Sequence, residues 1–307
     1  MDPGPARETK DFILPMKKWF ANVVMGCFGR LPVWLVMAFG RLVGMVLALI
    51  GFRRRDIDIH LQWAFPEFDV ARRRDLRREV CRHFGLLLAE AMRLPKMSRA
   101  ELLDRCRFHN VDVPGALLKE KTGIFILAAH VGNWELGLAA LAEAGYSAHV
   151  VAKEIKGEMG QHFVELMRGN HGIKTILRND QAGRKIIASV REGNALGFVL
   201  DQNMTSDEGI FVDFFGRPAC TMSGLAILSQ RTRAPVIPIR FERDLDGYHH
   251  DVWIMPPIQW EEVAGSRDEA IRHNTQRYTR VVEEMIRLCP SQWLWMHRRW
   301  RTRPQQQ

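Results

Sequence analysis

Between residues 123 and 258, short apolar runs alternate with stretches of helical spacing, and this alternation constrains the fold more than any other feature. "GIFILAA" (123–129) has the length and branched-residue content of a buried strand, and "SAHVVAKE" (147–154), "IKTIL" (173–177) and "ALGFVL" (195–200) read as strands. Helical patterns separate them: "NWELGLAALAEAG" (133–145), a stretch over roughly 157–170, and "DQAGRKIIASVREG" (180–193), which ends in Gly193. A loop from Asp201 to Cys220 follows, then a helix from about Thr221 to Arg233. Two further strands, "PVIPIRFER" and "HHDVWIMPPI", precede a long helix over about 267–288. Strands alternating with helices of this length predict an α/β fold with a mainly parallel sheet flanked by helices. Upstream, Asp69 caps and Pro95 stops an amphipathic helix, and Ser98 with Glu101 forms a capping box for a short one.

The chemistry concentrates where the first of these strands meets its helix, in "AAHVGNWELG". In a regular helix, His130 and Glu135 would stand about 140° apart. The pair makes sense if His130 occupies the strand–helix turn and Glu135 folds back toward its ring from the first helical turn. A carboxylate on one ring nitrogen fixes the tautomer and leaves the other nitrogen to take a proton. Backbone amides near Gly132 and Asn133 would open the helix and are candidate donors to an anion or a developing oxyanion. The bland alternative is a satisfied core His and a first-turn Glu.

Asp201 and Gln202 also follow a strand, and ligands in parallel sheets gather at the carboxyl ends of strands. Asp201 is expected to orient a substrate hydroxyl or a basic side chain, or simply to cap the loop. Arg168, at a helix end, could pair with a phosphate or remain a solvated charge. "FVDFFG" is aromatic and turn-rich, suited to wall a pocket or to pack under the loop. No G-x-S-x-G elbow, P-loop, G-x-G-x-x-G or H-E-x-x-H occurs, so a covalent acyl-enzyme is not suggested. His149 joined to His130 and Glu135 matches no metal-ligand spacing, and no metal or cofactor is expected.

The N-terminus differs in composition. Residues 31–52 are largely apolar, interrupted by Arg41 and followed by Arg53, Arg54 and Arg55. About twenty such residues can span a bilayer, and the arginines would stay cytoplasmic. "MKKWFANVVMGCFGR" before them reads as an interfacial helix. A segment over 1–55 that spans or lies on a membrane is therefore expected, followed by one catalytic domain over 56–307. The chain carries a net charge of +9, which favours an anionic partner. Nucleic acid is excluded because the basic residues form no recognisable binding motif and an apolar anchor is out of place there. Five scattered cysteines without C-x-x-C spacing read as reduced thiols.

Taken together, "AAHVGNWELG", the block "LDQN" through "GIFVDFFGRPACTMSGLAILSQRTRAPVIPI", and "PSQWLWMHRRWRTRP" resemble the bacterial lipid A biosynthesis acyltransferases, within the wider glycerolipid and lysophospholipid acyltransferase superfamily. The resemblance covers about residues 20–304. It implies a membrane-associated enzyme on the cytoplasmic face of the inner membrane. The implied reaction moves a fatty acyl group, usually from acyl carrier protein, onto a lipid hydroxyl. His130 falls on the family's catalytic base, Glu135 on its partner, Asp201 on an acidic site position and, loosely, Arg168 on a basic one. Trp134, Phe214 and Phe215 then become candidates for the acyl pocket, with core packing as the alternative for both phenylalanines. Arg53 to Arg55, Arg72 to Arg74, Arg298 and Arg299 suit anionic lipid and an acidic carrier protein. The "FPEGTRS"-like phosphate block of the glycerol-phosphate branch is absent. Another glycolipid or phospholipid acceptor, or a non-catalytic membrane scaffold, are the competing readings.

Overall fold

The computed structural model describes residues 5–119, 123–153, 157–179 and 181–304. Glu154 and Asp180, at the ends of an expected strand and an expected helix, lie outside them. In chain order the elements are α1 (Pro5–Arg30), α2 (Val33–Leu49), α3 (Arg54–Ala64), α4 (Val70–Arg93), α5 (Arg99–Arg105), β1 (Cys106–His109), α6 (Asp112–Lys119), β2 (Ile124–Ala128), α7 (Trp134–Glu143), β3 (Ala148–Ala152), α8 (Glu158–Gly169), β4 (Lys174–Leu177), α9 (Ala182–Arg191), β5 (Ala195–Val199), β6 (Ile210–Phe214), β7 (Arg217–Thr221), α10 (Gly224–Thr232), β8 (Val236–Arg243), β9 (His250–Ile254) and α11 (Arg267–Leu288).

Seven strands form one sheet in the order β1-β9-β8-β2-β5-β3-β4. Every pairing is parallel except β8 with β9. All five residues of β2 are buried, as a strand covered on both faces requires. Phe125 and Leu127 pack into one apolar cluster with α9, α10 and α11; Ile124, Ile126 and Ala128 pack into the other with α5, α7 and α8. The expected α/β class and most element positions therefore hold.

Three differences follow from packing that local pattern does not encode. Residues 201–220, expected as loop, contain the antiparallel hairpin β6–β7, closed by Phe215 and Gly216, both at positive φ, the backbone a tight two-residue hairpin turn demands. Helix α10 consequently starts at Gly224, because Thr221 still belongs to β7. Strand β1, helix α3 and helix α6 have no counterpart in the sequence reading.

The N-terminal segment is two helices bent by 118° at a short break. No single helix of the described residues is long and apolar enough to cross a membrane. The break falls at Leu31 and Pro32, between α1 and α2. Helix α2 buries Val36, Met37, Gly40 and Gly44 against α4. A Cβ at Gly40 or Gly44 would overlap the α4 backbone at Leu86 or Arg82, and one at Gly85 would overlap that of α2, so these glycines set the close crossing. The opposite face leaves Trp34, Leu42, Met45, Leu49 and Ile50 in solvent, and α1 exposes Trp19 and Phe20. Apolar area of this extent on one side marks an interaction surface. Arg41 is exposed yet lies beside the Gly247 turn of the sheet domain.

Candidate active site

The register of the two central strands builds the site. Ala128 of β2 pairs with Val199 of β5, so His130 and Asp201, each two residues further on, emerge together at the carboxyl edge. His130 Nδ1–H donates to Asp201 Oδ1 at 2.8 Å, and the His130 backbone N–H donates to Oδ2 at 3.0 Å. The Trp293 indole Nε1–H also donates to Oδ2, at 2.7 Å. Trp293 arrives because the chain after α11 folds back and bridges Val131. The Asp201 carboxylate is buried, and burial alone would raise its pKa. The charge of His130 and the donors around it outweigh that and bring it down to about 2. Burial likewise opposes a charged His130. The Asp201 carboxylate, helped by Glu135, overrides it and leaves the imidazole above its ordinary value, with Arg168 acting in the opposite sense.

With Nδ1 committed to Asp201, Nε2 faces a cleft of about 390 Å³. The Gln202 side-chain amide lies 3.3 Å from it. The Trp134 ring packs edge-on against the imidazole, centroids 4.7 Å apart. Apolar residues from strand ends and the following loop line the cleft, among them Val151, Val199, Met204 and Met222. Lys153, Arg168 and Arg178 bring positive charge, against Glu208.

The expected fold-back of Glu135 onto the His130 ring is corrected by this arrangement. Asp201 holds that nitrogen, and Glu135 instead forms a two-pronged pair with Arg168 (Nε to Oε2 3.0 Å, NH2 to Oε1 2.6 Å), receiving the Trp134 indole as well. Glu135 sits in the first turn of α7 and reaches α8, not the strand–helix turn. Arg168, proposed as a phosphate partner, is held there beside the cleft. The amide role for Gly132 is also corrected: its N–H donates to the Gln292 carbonyl at 3.1 Å. Its φ of +63° and the Phe241 carbonyl, which a Cβ would strike, explain why glycine is needed. The Asn133 side chain is buried and structural. Its Oδ1 caps α7 at the Leu136 N–H, 3.0 Å, and its Nδ2 donates to Glu90 Oε2 at 2.7 Å.

Phe214 and Phe215 do not line the cleft. Both are buried in an aromatic cluster behind the site. Phe214 packs on Trp293 and Trp300, and Phe215 on Phe65. Their side chains face inward because the hairpin lies over the end of α11. Phe214→Ala should therefore destabilise the fold by about 3–5 kcal/mol and lower activity equally for acyl donors of every length. A melting temperature unchanged from wild type, with a shifted donor preference, would return the ring to the pocket. Arg299, grouped with surface cations above, is wholly buried. It donates to the Gln202 and Cys220 carbonyls and to Thr221 Oγ1, and burial brings it down to about 10. Arg298 is exposed and pairs with Asp56.

The sequence reading missed three contributors. Trp293 stood only inside a terminal motif, with nothing local to tie it to Asp201. Gln202 was noted beside Asp201 without a role. Glu90 sits in the last turn of α4, and a helical glutamate ordinarily faces water. Here it is fully buried and paired with Arg105 and Arg243.

A family model described as bacterial lipid A biosynthesis acyltransferase matches residues 7–302. Similar curated proteins include the lipid A biosynthesis palmitoleoyltransferase of Escherichia coli (strain K12), 24% identical, covering 93% of this chain and 91% of the relative. The lauroyltransferase of the same organism is 25% identical, covering 94% and 92%. The phosphatidylinositol mannoside acyltransferase of Mycolicibacterium smegmatis is 23% identical, covering 57% and 58%.

Proposed function

The chain belongs to the bacterial lipid A biosynthesis acyltransferase family and is an acyltransferase, and from that premise we propose that it moves a fatty acyl group from acyl carrier protein to a hydroxyl of a lipid A precursor, with His130 as general base. The observation that carries this reading is the His130–Asp201 pair at the mouth of the cleft, with Nδ1 fixed as donor and Nε2 turned to the space where a hydroxyl would arrive.

The acceptor hydroxyl displaces the Gln202 amide from Nε2 and gives its proton to that nitrogen. Asp201 stabilises the imidazolium that forms. The oxygen attacks the thioester carbon, and the negative charge that develops on the carbonyl oxygen takes the freed Gln202 amide as its donor. The tetrahedral intermediate collapses, the carbon–sulfur bond breaks and His130 returns the proton to the leaving thiolate. Glu135 has a different part from the one expected of it. It anchors Arg168 at the cleft wall and adds negative potential at the ring. A non-catalytic scaffold would have no use for a buried carboxylate oriented by two donors toward one imidazole.

The exposed apolar faces of α1 and α2 support a membrane-lying N-terminus, and the family resemblance implies the cytoplasmic side of the inner membrane. The bend between the two helices suits a segment in the interface better than a straight span. Residues 1–55 are then a membrane-binding segment before a catalytic domain over 56–307, and the net charge of +9 suits an anionic acceptor and an acidic carrier.

The test is acyl transfer by the membrane-bound protein with the same acyl group on acyl carrier protein or on coenzyme A, measured across pH. Transfer from the carrier protein is expected. Neutral His130 is the active form and its pKa lies above the ordinary histidine value, so kcat/KM should rise with pH through that value and level off above it. Glu135→Gln removes a charge that raises His130, so its acidic limb should move to lower pH. A wild-type rate that does not vary between weakly acidic and weakly basic pH would remove His130 from the role.

A further inference from the structure

Phe214 and Phe215 are buried and do not line the His130 cleft, and a second cavity adjoins that cleft. It has a volume of about 350 Å³ and lies between α8 and the β3–β4 edge of the sheet. The two cavities share Ala152, Lys153 and Arg168, so they are neighbours that meet at the Arg168 side chain. The apolar part of its wall is Ala152, Val164, Ile173 and Leu177. From α8 the wall takes Gln161, Val164, Glu165 and Arg168, spaced as one helical stripe. The charged head of Arg168 is turned to Glu135, which leaves its methylene stem to line the throat.

Two other cavities among the described residues fit a fatty chain reaching His130 less well. The one beneath the β6–β7 hairpin sets Phe211, Val212 and Pro218 against the charged or polar Asp213, Glu269, Arg272, His273 and Gln276, and it shares no residue with the His130 cleft. An entirely apolar one beneath Tyr146 holds only about 20 Å³. Helix α8 also touches α1, where His162 Nε2 and Asn22 Oδ1 are 3.0 Å apart, so the groove stands next to the helices that carry the exposed apolar faces.

We infer that this groove, between α8 and the β3–β4 edge, binds the fatty chain of the acyl donor and measures its length, with Val164 and Thr175 on facing walls. The inference rests on the acyl-transfer reading above. The thioester carbon lies at His130 Nε2, and the chain runs past Arg168 into the groove. Each methylene that loses its apolar contact forfeits about fourfold in binding.

Two measurements test it in the full-length membrane-bound protein. A fatty acid with a terminal diazirine, activated by light, should label peptides of α8 and β4, and the label should fall in Val164→Trp. Labelling confined to the β6–β7 hairpin, confined to α1 and α2, or absent altogether would overturn the proposal. Separately, filling the groove with Val164→Trp should lower the ratio of kcat/KM for a long donor over a short one. Losing two or three methylenes of contact corresponds to roughly 15- to 60-fold. Thr175→Trp repeats the test from the exposed opposite wall, should the α8 variant not fold. An unchanged ratio in both folded variants overturns the groove while leaving acyl transfer standing. If the wild type transfers no acyl group from any donor, the acyl-transfer reading has failed, and the labelled peptides still decide whether the groove holds a chain.

Discussion

Replacing His130 by Ala is expected to lower kcat by about 10²–10⁴-fold, the usual contribution of a positioned base, with the fold intact because the ring is an end-of-strand side chain facing a cleft. Asp201→Asn should fall nearly as far, for a reason legible in its hydrogen bonds. Oδ2 receives two N–H groups and Oδ1 receives one. An asparagine keeps its single oxygen where two donors converge and turns its NH2 toward His130 Nδ1. The imidazole must then carry its proton on Nε2, the nitrogen that has to accept one. Glu135→Gln should be much milder, since it keeps the Arg168 contact and never touches the ring. The measurement is acyl transfer by the three purified variants at one saturating donor concentration. Wild-type turnover by Asp201→Asn would discard the base assignment, and a loss in Glu135→Gln equal to that in Asp201→Asn would restore the pairing read from the sequence.

Glu90→Ala is expected to destabilise the fold by about 3–5 kcal/mol, as much as Phe214→Ala, because removing one member of a buried ion cluster leaves the other charges without compensation. That is a large share of the 5–15 kcal/mol typical of a whole domain, on the order of a third. Glu90 accepts from Arg105, from both terminal nitrogens of Arg243 (2.8 and 2.5 Å), from His250 at 3.2 Å and from Asn133. Burial alone would raise its carboxyl; Arg243 and His250 overcome that and hold it well below the usual carboxylate range. Its contribution is therefore complete above the ordinary glutamate pKa and is lost only as pH falls through the depressed value of the folded state. Denaturant unfolding of Glu90→Ala and Glu90→Gln against wild type near neutral pH measures it. A Glu90→Ala midpoint equal to wild type would mean that solvent reaches the cluster. Activity should suffer too, because Asn133 ties this cluster to the cap of α7. The same turn is gripped by the Gly132 carbonyl, 3.2 Å from His83 Nε2, with His83 brought down by burial to about 3 and so neutral.

Much of this molecule was legible along the chain. The alternation of apolar runs with helical spacing identified β2, β3, β4, β5, β8, β9 and the helices between them; burial on both faces writes itself as a local apolar run in β2, whereas the edge strand β4 is largely exposed. His130 and Asp201 were each recognised at the end of a strand, the position where parallel sheets gather ligands. Hairpin β6–β7 was not legible. Its residues alternate weakly, and it is stabilised by lying over α11, where Asp213 N–H meets Gln276 Oε1 at 2.6 Å.

The partner of the imidazole was also misread from local spacing. Glu135 is five residues from His130 and Asp201 is seventy-one away, so a reading along the chain favours the near carboxylate. Strand order puts β5 beside β2, and register then brings Asp201 to the ring while Glu135 turns to Arg168 on a neighbouring helix. Chain proximity is a property of the sequence alone. Which strands become neighbours, which segment returns to deliver Trp293, and which charges are buried together around Glu90 depend on contacts between distant segments, and these form only when the whole core closes.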